Sequence, residues 1–104
     1  MHRSAVRQVA INFSASGDNT IVTAPASGPI NVYGLILTVH AATNIIFKHG
    51  ATAASGAIEL TAVGSSLFLG LYENPWYWTL PGENFIINSS AAVQVSGTCW
   101  YTLG

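Results

Sequence analysis

Charge is what this sequence lacks. Its 104 residues hold three Lys and Arg and four Asp and Glu, or 7% charged residues where soluble domains usually carry about 25%. The scarcity is not that of a disordered chain, which combines high charge with few aromatics; half of these residues are hydrophobic and 11% are aromatic. The basic residues Arg3, Arg7 and Lys48 are too few to track a phosphate backbone, so nucleic acid is not expected as a partner. Cys99 stands alone, which rules out an intramolecular disulfide. His2, His40 and His49 show none of the short spacings of a zinc site, and neither GxSxG nor GxGxxG occurs. No catalytic residue, metal or cofactor is therefore assigned, and the protein is expected not to be an enzyme. "MHRSAVRQVAINF" has no continuous apolar segment of the signal-peptide kind, so synthesis in the cytoplasm of the producing cell is expected. Ile30–Phe47 approaches membrane-spanning length, but β-branched residues and Gly34, His40 and Asn44 make it two strands and a turn, so no membrane is expected.

What the sequence does have is alternation. Apolar and polar residues exchange with period two, and turn residues recur every eight to twelve positions, the pattern of an all-β chain. Strands are predicted at Val6–Phe13, Asn19–Ala24, Ile30–His40, Asn44–His49, Ala57–Thr61, Ser66–Tyr72, Asn84–Asn88 and Val93–Leu103. They are separated by "SGDN", "SGP", "HG", "SG" and "PG", each supplying proline or a residue tolerant of positive φ. No segment carries a 3.6-residue stripe, so no significant helix is expected. A chain of this length is one domain and buries roughly 60–70% of its unfolded surface. The expectation is a single antiparallel β-sandwich of about eight strands, jelly-roll-like.

Two strands break the rule that a sandwich strand is apolar on one face only. In Ile30–His40, Ile30, Val32 and Ile36 oppose Tyr33, Leu35, Leu37 and Val39; in Ser66–Tyr72, Leu67, Leu69 and Leu71 oppose Phe68 and Tyr72. Doubly apolar strands need a second cover, and a neighbouring copy is its economical source, so a homo-oligomer is expected. The last strand puts Val93, Val95, Gly97, Cys99, Tyr101 and Leu103 on one face, which makes Cys99 a buried structural thiol.

The stretch "LYENPWYWTLPGENF", Leu71–Phe85, concentrates rings and carboxylates. Glu73 and Glu83 are the one pair that could act as a glycosidase couple, but each lies in a turn where a solvated carboxylate is ordinary. Trp76 and Trp78 alternate with Tyr77, so an extended segment cannot present all three rings on one flat platform. Core or interface filler is the favoured reading, with Tyr33, Tyr72, Trp76, Tyr77 and Trp78 as candidate contact residues alongside Arg3 and Arg7.

The order "NTIVTAPASGPINVYGLILTVHAATNIIFKHGATAASGAIEL" followed by "PGENFIINSSAAVQVSGTCWY" resembles a group of small virion proteins of tailed bacteriophages. The shared elements are the "I-x-V" opening at Ile30–Val32, "F-K-x-G" at Phe47–Gly50, "G-A-I-x-L" at Gly56–Leu60 and the closing segment Gly82–Tyr101, within a match spanning Asn19 to Leu103. The resemblance implies a β-sandwich structural protein of the virion, most simply a capsid decoration or cementing protein on the head surface. It would work as a homo-oligomer, with a trimer favoured by analogy, and its partners would be the major capsid protein or other virion proteins. A receptor- or carbohydrate-binding module of a tail tip or head fibre is the alternative, because "NPWYW" is more aromatic than the group pattern. Residues 1–13 are expected to be a first strand or partner-contacting arm, and residues 14–104 the sandwich.

Overall fold

Turn residues and alternation place the strands close to where they form. The computed structural model describes residues 5–104, and all eight predicted strands appear there with no end displaced by more than three residues. In chain order they are β1 (Arg7–Phe13), β2 (Gly17–Val22), β3 (Ile30–Val39), β4 (Thr43–His49), β5 (Thr52–Ala53), β6 (Ile58–Leu60), β7 (Ser66–Leu69), β8 (Tyr77–Trp78), β9 (Phe85–Ser89) and β10 (Val95–Leu103). The two-residue strands β5 and β8 were not anticipated; each is a short edge pairing too brief to leave a periodic signal. The apolar run Ile30–Phe47 is two strands and a turn, and no helix of the described residues is long and apolar enough to cross a membrane.

All pairings are antiparallel. One sheet runs β1-β10-β3-β7, with β8 also on β3; the other runs β2-β9-β4-β5, with β6 also on β4. Without the two-residue strands, the order 1-10-3-7 faces 2-9-4-6, which is the eight-stranded jelly roll with its two Greek keys. The core lies between the sheets and is built from Ile11, Leu35, Leu37 and Val95 on one side and Ile45, Phe47, Phe85 and Ile87 on the other, all essentially inaccessible. Rings fasten the layers together, since Tyr77 of the first sheet lies 4.9 Å from Phe47 of the second, centroid to centroid. Cys99 is fully buried, and burial pushes its thiol up to about 12, which fits the expected structural role.

The double apolarity of β3 has a local cause. The ladder to β10 pairs Trp100 with Gly34 and Tyr101 with Val32, leaving Tyr33 as the extra residue of a β-bulge. One inserted residue reverses the parity of a strand. Ile30 and Val32 before the bulge and Leu35, Leu37 and Val39 after it therefore all face the same core. Tyr33 itself is buried, and the chain after β7 closes over the strand here: a Cβ on Gly34 would lie 2.9 Å from the Leu69 carbonyl oxygen and 3.3 Å from the Leu71 nitrogen. The cover that β3 needs comes from its own chain, so this strand no longer argues for a neighbouring copy. In β7 the outward residue Phe68 does remain exposed.

The first strand is equally integral. Every residue of β1 pairs with β10, from Arg7 opposite Tyr101 to Phe13 opposite Val95, and Ile11 is a core residue. The sandwich thus includes residues 7–13, which form its first strand. Removing residues 1–13 is expected to unfold the domain, seen as loss of the cooperative thermal transition in circular dichroism. A second test is Gly97, where a Cβ would overlap the Ile36 carbonyl, whereas Gly56 has open space around it. Gly97→Ala should cost at least about 2 kcal/mol in urea denaturation and Gly56→Ala less than about 1 kcal/mol.

Candidate functional site

The Leu71–Phe85 stretch folds as two turns around β8, and its rings part as the alternation requires. Tyr77 pairs with Val32 and points into the sandwich, packing on Phe47 and, at 6.4 Å, on Phe85. Burial raises the pKa of its hydroxyl. Trp78 pairs with Asn31 and is 60% exposed, and Trp76 is 45% exposed. Trp76 is nonetheless fixed: its backbone nitrogen donates to the Val32 carbonyl at 2.8 Å, its indole nitrogen donates to the Gly70 carbonyl at 2.7 Å, and its ring lies 6.3 Å from that of Tyr72. The three consecutive aromatics do not make a flat platform. They wall an open hollow of about 260 Å³ at the sandwich edge, completed by His49 and Ala54 from the other sheet and its hairpin.

His49 ends β4, opposite Phe85, and its Nδ1 lies 2.8 Å from Glu83 Oε1. The same carboxylate oxygen accepts the Leu80 backbone N–H at 2.8 Å. These two hydrogen bonds, that from Leu80 first, hold the Glu83 carboxyl below the ordinary glutamate range. Because the carboxylate can only accept, Nδ1 carries the hydrogen, and Nε2 is left as the second polar atom of the ring. Glu83 is therefore not the idle turn carboxylate that the sequence indicates. It works as an orienting group for His49, while Glu73 sits exposed in the preceding turn.

The other candidates scatter. Tyr33 is the buried bulge residue rather than a surface contact. Arg7 is exposed at the start of β1, and Arg3 lies outside the described residues. Tyr72 is exposed beside Trp76. His49, Ala54 and Glu83 were missed as members of one site, because 34 residues separate His49 from Glu83 and only the pairing of β4 with β9 brings them together. Exposed apolar side chains remain at Ile36, Phe68, Leu71 and Leu80; the first three belong to the strands whose double apolarity is legible in the sequence, and Leu80 was not singled out there. Ile36 and Phe68 are direct cross-strand partners, and their exposures are 39% and 66%. No group of three or more His, Cys, Asp or Glu able to hold a metal occurs among the described residues.

No protein-family model and no curated protein matches this sequence. The site can be tested through pH. The folded-state pKa of Glu83 lies below its unfolded value, so its contribution is complete above the unfolded pKa and is lost as pH falls through the folded one. Between about pH 5 and pH 2 the urea midpoint should fall, and Glu83→Gln should flatten that slope while lowering the midpoint at neutral pH. The carboxylate of Asp18, held low by Asn88 and Lys48, carries the same sign and should leave a residual slope in the variant.

Proposed function

We propose that this protein is a non-enzymatic structural component of a phage virion, most simply a capsid decoration protein that cements the head lattice as a homo-oligomer. The observation that carries the reading is the exposed apolar surface along β7, the following turn and β8. Phe68, Leu71, Tyr72 and Leu80 all stand more than half exposed there, and Glu73 is the one ionisable acid or base between Glu59 and Glu83 apart from two tyrosines. Large exposed apolar patches on small soluble domains mark surfaces that another macromolecule covers, and aromatic anchors in such a patch are the usual source of binding energy.

Composition supports permanent assembly for a second reason. A surface of hydroxyls and amides desolvates at lower cost than one of charges and generates little repulsion between copies. The jelly roll is an architecture found in viral capsid domains, although it serves other tasks as well, so the fold is compatible with the proposal without singling it out. The likeness of the strand and turn motifs to small virion proteins adds the particle as the setting. A receptor- or carbohydrate-binding role draws on a different feature, the hollow between the tryptophans.

Quantitative mass spectrometry of purified particles tests the proposal. Hundreds of copies per particle are expected; a handful would move the protein to the tail, and absence would remove it from the virion. Phe68→Ser and Leu71→Ser, both at exposed positions, should leave the thermal transition within a few degrees of the parent and reduce particle occupancy at least about tenfold. Unchanged occupancy in both would show that this surface is not the docking face.

A further inference from the structure

The hollow at the sandwich edge combines three properties that a surface for apolar docking does not need. Both of its tryptophans are exposed, and Trp76 is held by its indole hydrogen bond to Gly70 and by its contact with Tyr72. Its one titratable imidazole, His49, is oriented by a carboxylate that is itself anchored to the backbone. Its remaining walls, Tyr77 and Ala54, carry no charge at neutral pH. Holding exposed rings in place before binding lowers the ordering cost that a ligand must overcome.

We propose that this hollow binds a single uncharged pyranose ring of a glycan, with the faces of Trp76 and Trp78 against the C–H face of the sugar and His49 hydrogen-bonded to one of its hydroxyls. The ligand class follows from the lining. A sugar ring is amphipathic, with a C–H face for the indoles and hydroxyls at its rim for Nε2. An apolar side chain in the same place would cover the indoles but bury the imidazole nitrogen without a partner, which is costly. An anionic sugar would find no cation to meet it. Lys48 is paired with Asp18 at 2.9 Å, and any positive charge on His49 is already met by Glu83. The volume, about 260 Å³, lies just below the range for drug-sized ligands and limits the site to one ring at a time. Affinity from one such ring is weak, so useful binding comes from repetition of the site on a multivalent ligand or assembly.

This inference does not rest on the virion reading, and the two fail separately: one is measured on the isolated chain, the other on particles. The experiment titrates the full chain with the methyl glycosides of glucose, galactose, mannose and N-acetylglucosamine, following tryptophan fluorescence and NMR shifts of the indole N–H groups, alongside an array of neutral glycans. Saturable shifts of the Trp76 and Trp78 signals with at least one glycoside are expected, with Trp100 unmoved as the internal reference. Trp78→Ala should lower the affinity at least about tenfold, Trp78→Phe should retain part of it, and His49→Ala should weaken it while the thermal transition persists. The proposal is overturned if no neutral sugar gives a saturable response, or if the response survives Trp78→Ala.

Discussion

One extra residue in a central strand sets the rest of the structure. Strand β3 is bonded to β10 along one side and to β7 and β8 along the other, and it carries its bulge at Tyr33. Without that residue, Ile30 and Val32 would face outward whenever Leu35, Leu37 and Val39 faced inward, and half of the strand's apolar surface would be left in water. With it, both halves join one core. The bulge also divides the far edge of β3 into two short pairing sites, Leu35–Thr38 for β7 and Asn31–Val32 for β8. The chain between them has no ladder to join and must leave the sheet plane. That excursion carries Leu71, Tyr72 and Trp76 to the surface, and Gly34 is the residue that lets the backbone pass so close above the strand.

The fold was legible because its signals are local. Alternation marks a strand wherever one face is buried, and glycine or proline marks its end, so eight strands and the sandwich could be read from residue order. The bulge was misread because its effect looks like a different phenomenon: two apolar sets of opposite parity read as two apolar faces, and two apolar faces seem to demand a partner. The distinguishing sign was present in "INVYGLILTV", where the parity of the apolar residues changes at Tyr33-Gly34 instead of persisting through the strand. An isolated glycine at such a change is the mark of a bulge or a close backbone approach, and β3 has both. The site was less legible for a different reason. His49 and Glu83 each sit beside a turn glycine, and nothing in either neighbourhood points to the other; only the register of β4 on β9 makes them a pair.

A core this poor in charge still contains polar groups, and hydroxyls carry them. Thr43 is bonded to Ser89 at 2.8 Å, and Thr79 accepts the Ile30 backbone N–H at 2.9 Å. Among the described residues no buried side-chain nitrogen or oxygen lacks a partner. Thr79 shows why this matters for the site. It closes both hydrogen bonds to Ile30, donating its own backbone N–H to the carbonyl there, and so continues the pairing of β8 with β3 by one residue beyond the strand. That clamp fixes the direction of Trp78 and delivers Leu80 to Glu83. The ionic contacts are few among the described residues: Asp18 of β2 reaches Lys48 of β4 across the intervening β9, and His49 at the end of β4 meets Glu83 in the turn before β9. Stability should therefore respond weakly to salt and mainly to acid, since screening acts on exposed charge and there is little of it.

The exposed apolar surface and the hollow are neighbours because one excursion of the chain builds both, but they obey different physics. Phe68 and Leu71 offer area without direction, which suits a partner that excludes water over a broad face. Trp76, Trp78 and His49 offer direction with little area, since two rings and one oriented nitrogen can recognise only something small that presents a C–H face and a hydroxyl together. A chain that used the whole region as a docking face would bury the oriented imidazole for no return. A chain that used it only for a small ligand would leave Phe68 and Ile36 in water without compensation. The two demands are compatible if β7 and its turn face a neighbouring protein while the mouth between Trp76 and Trp78 stays open beside it. That division assigns Tyr72, whose ring touches Trp76, to the border between the two surfaces.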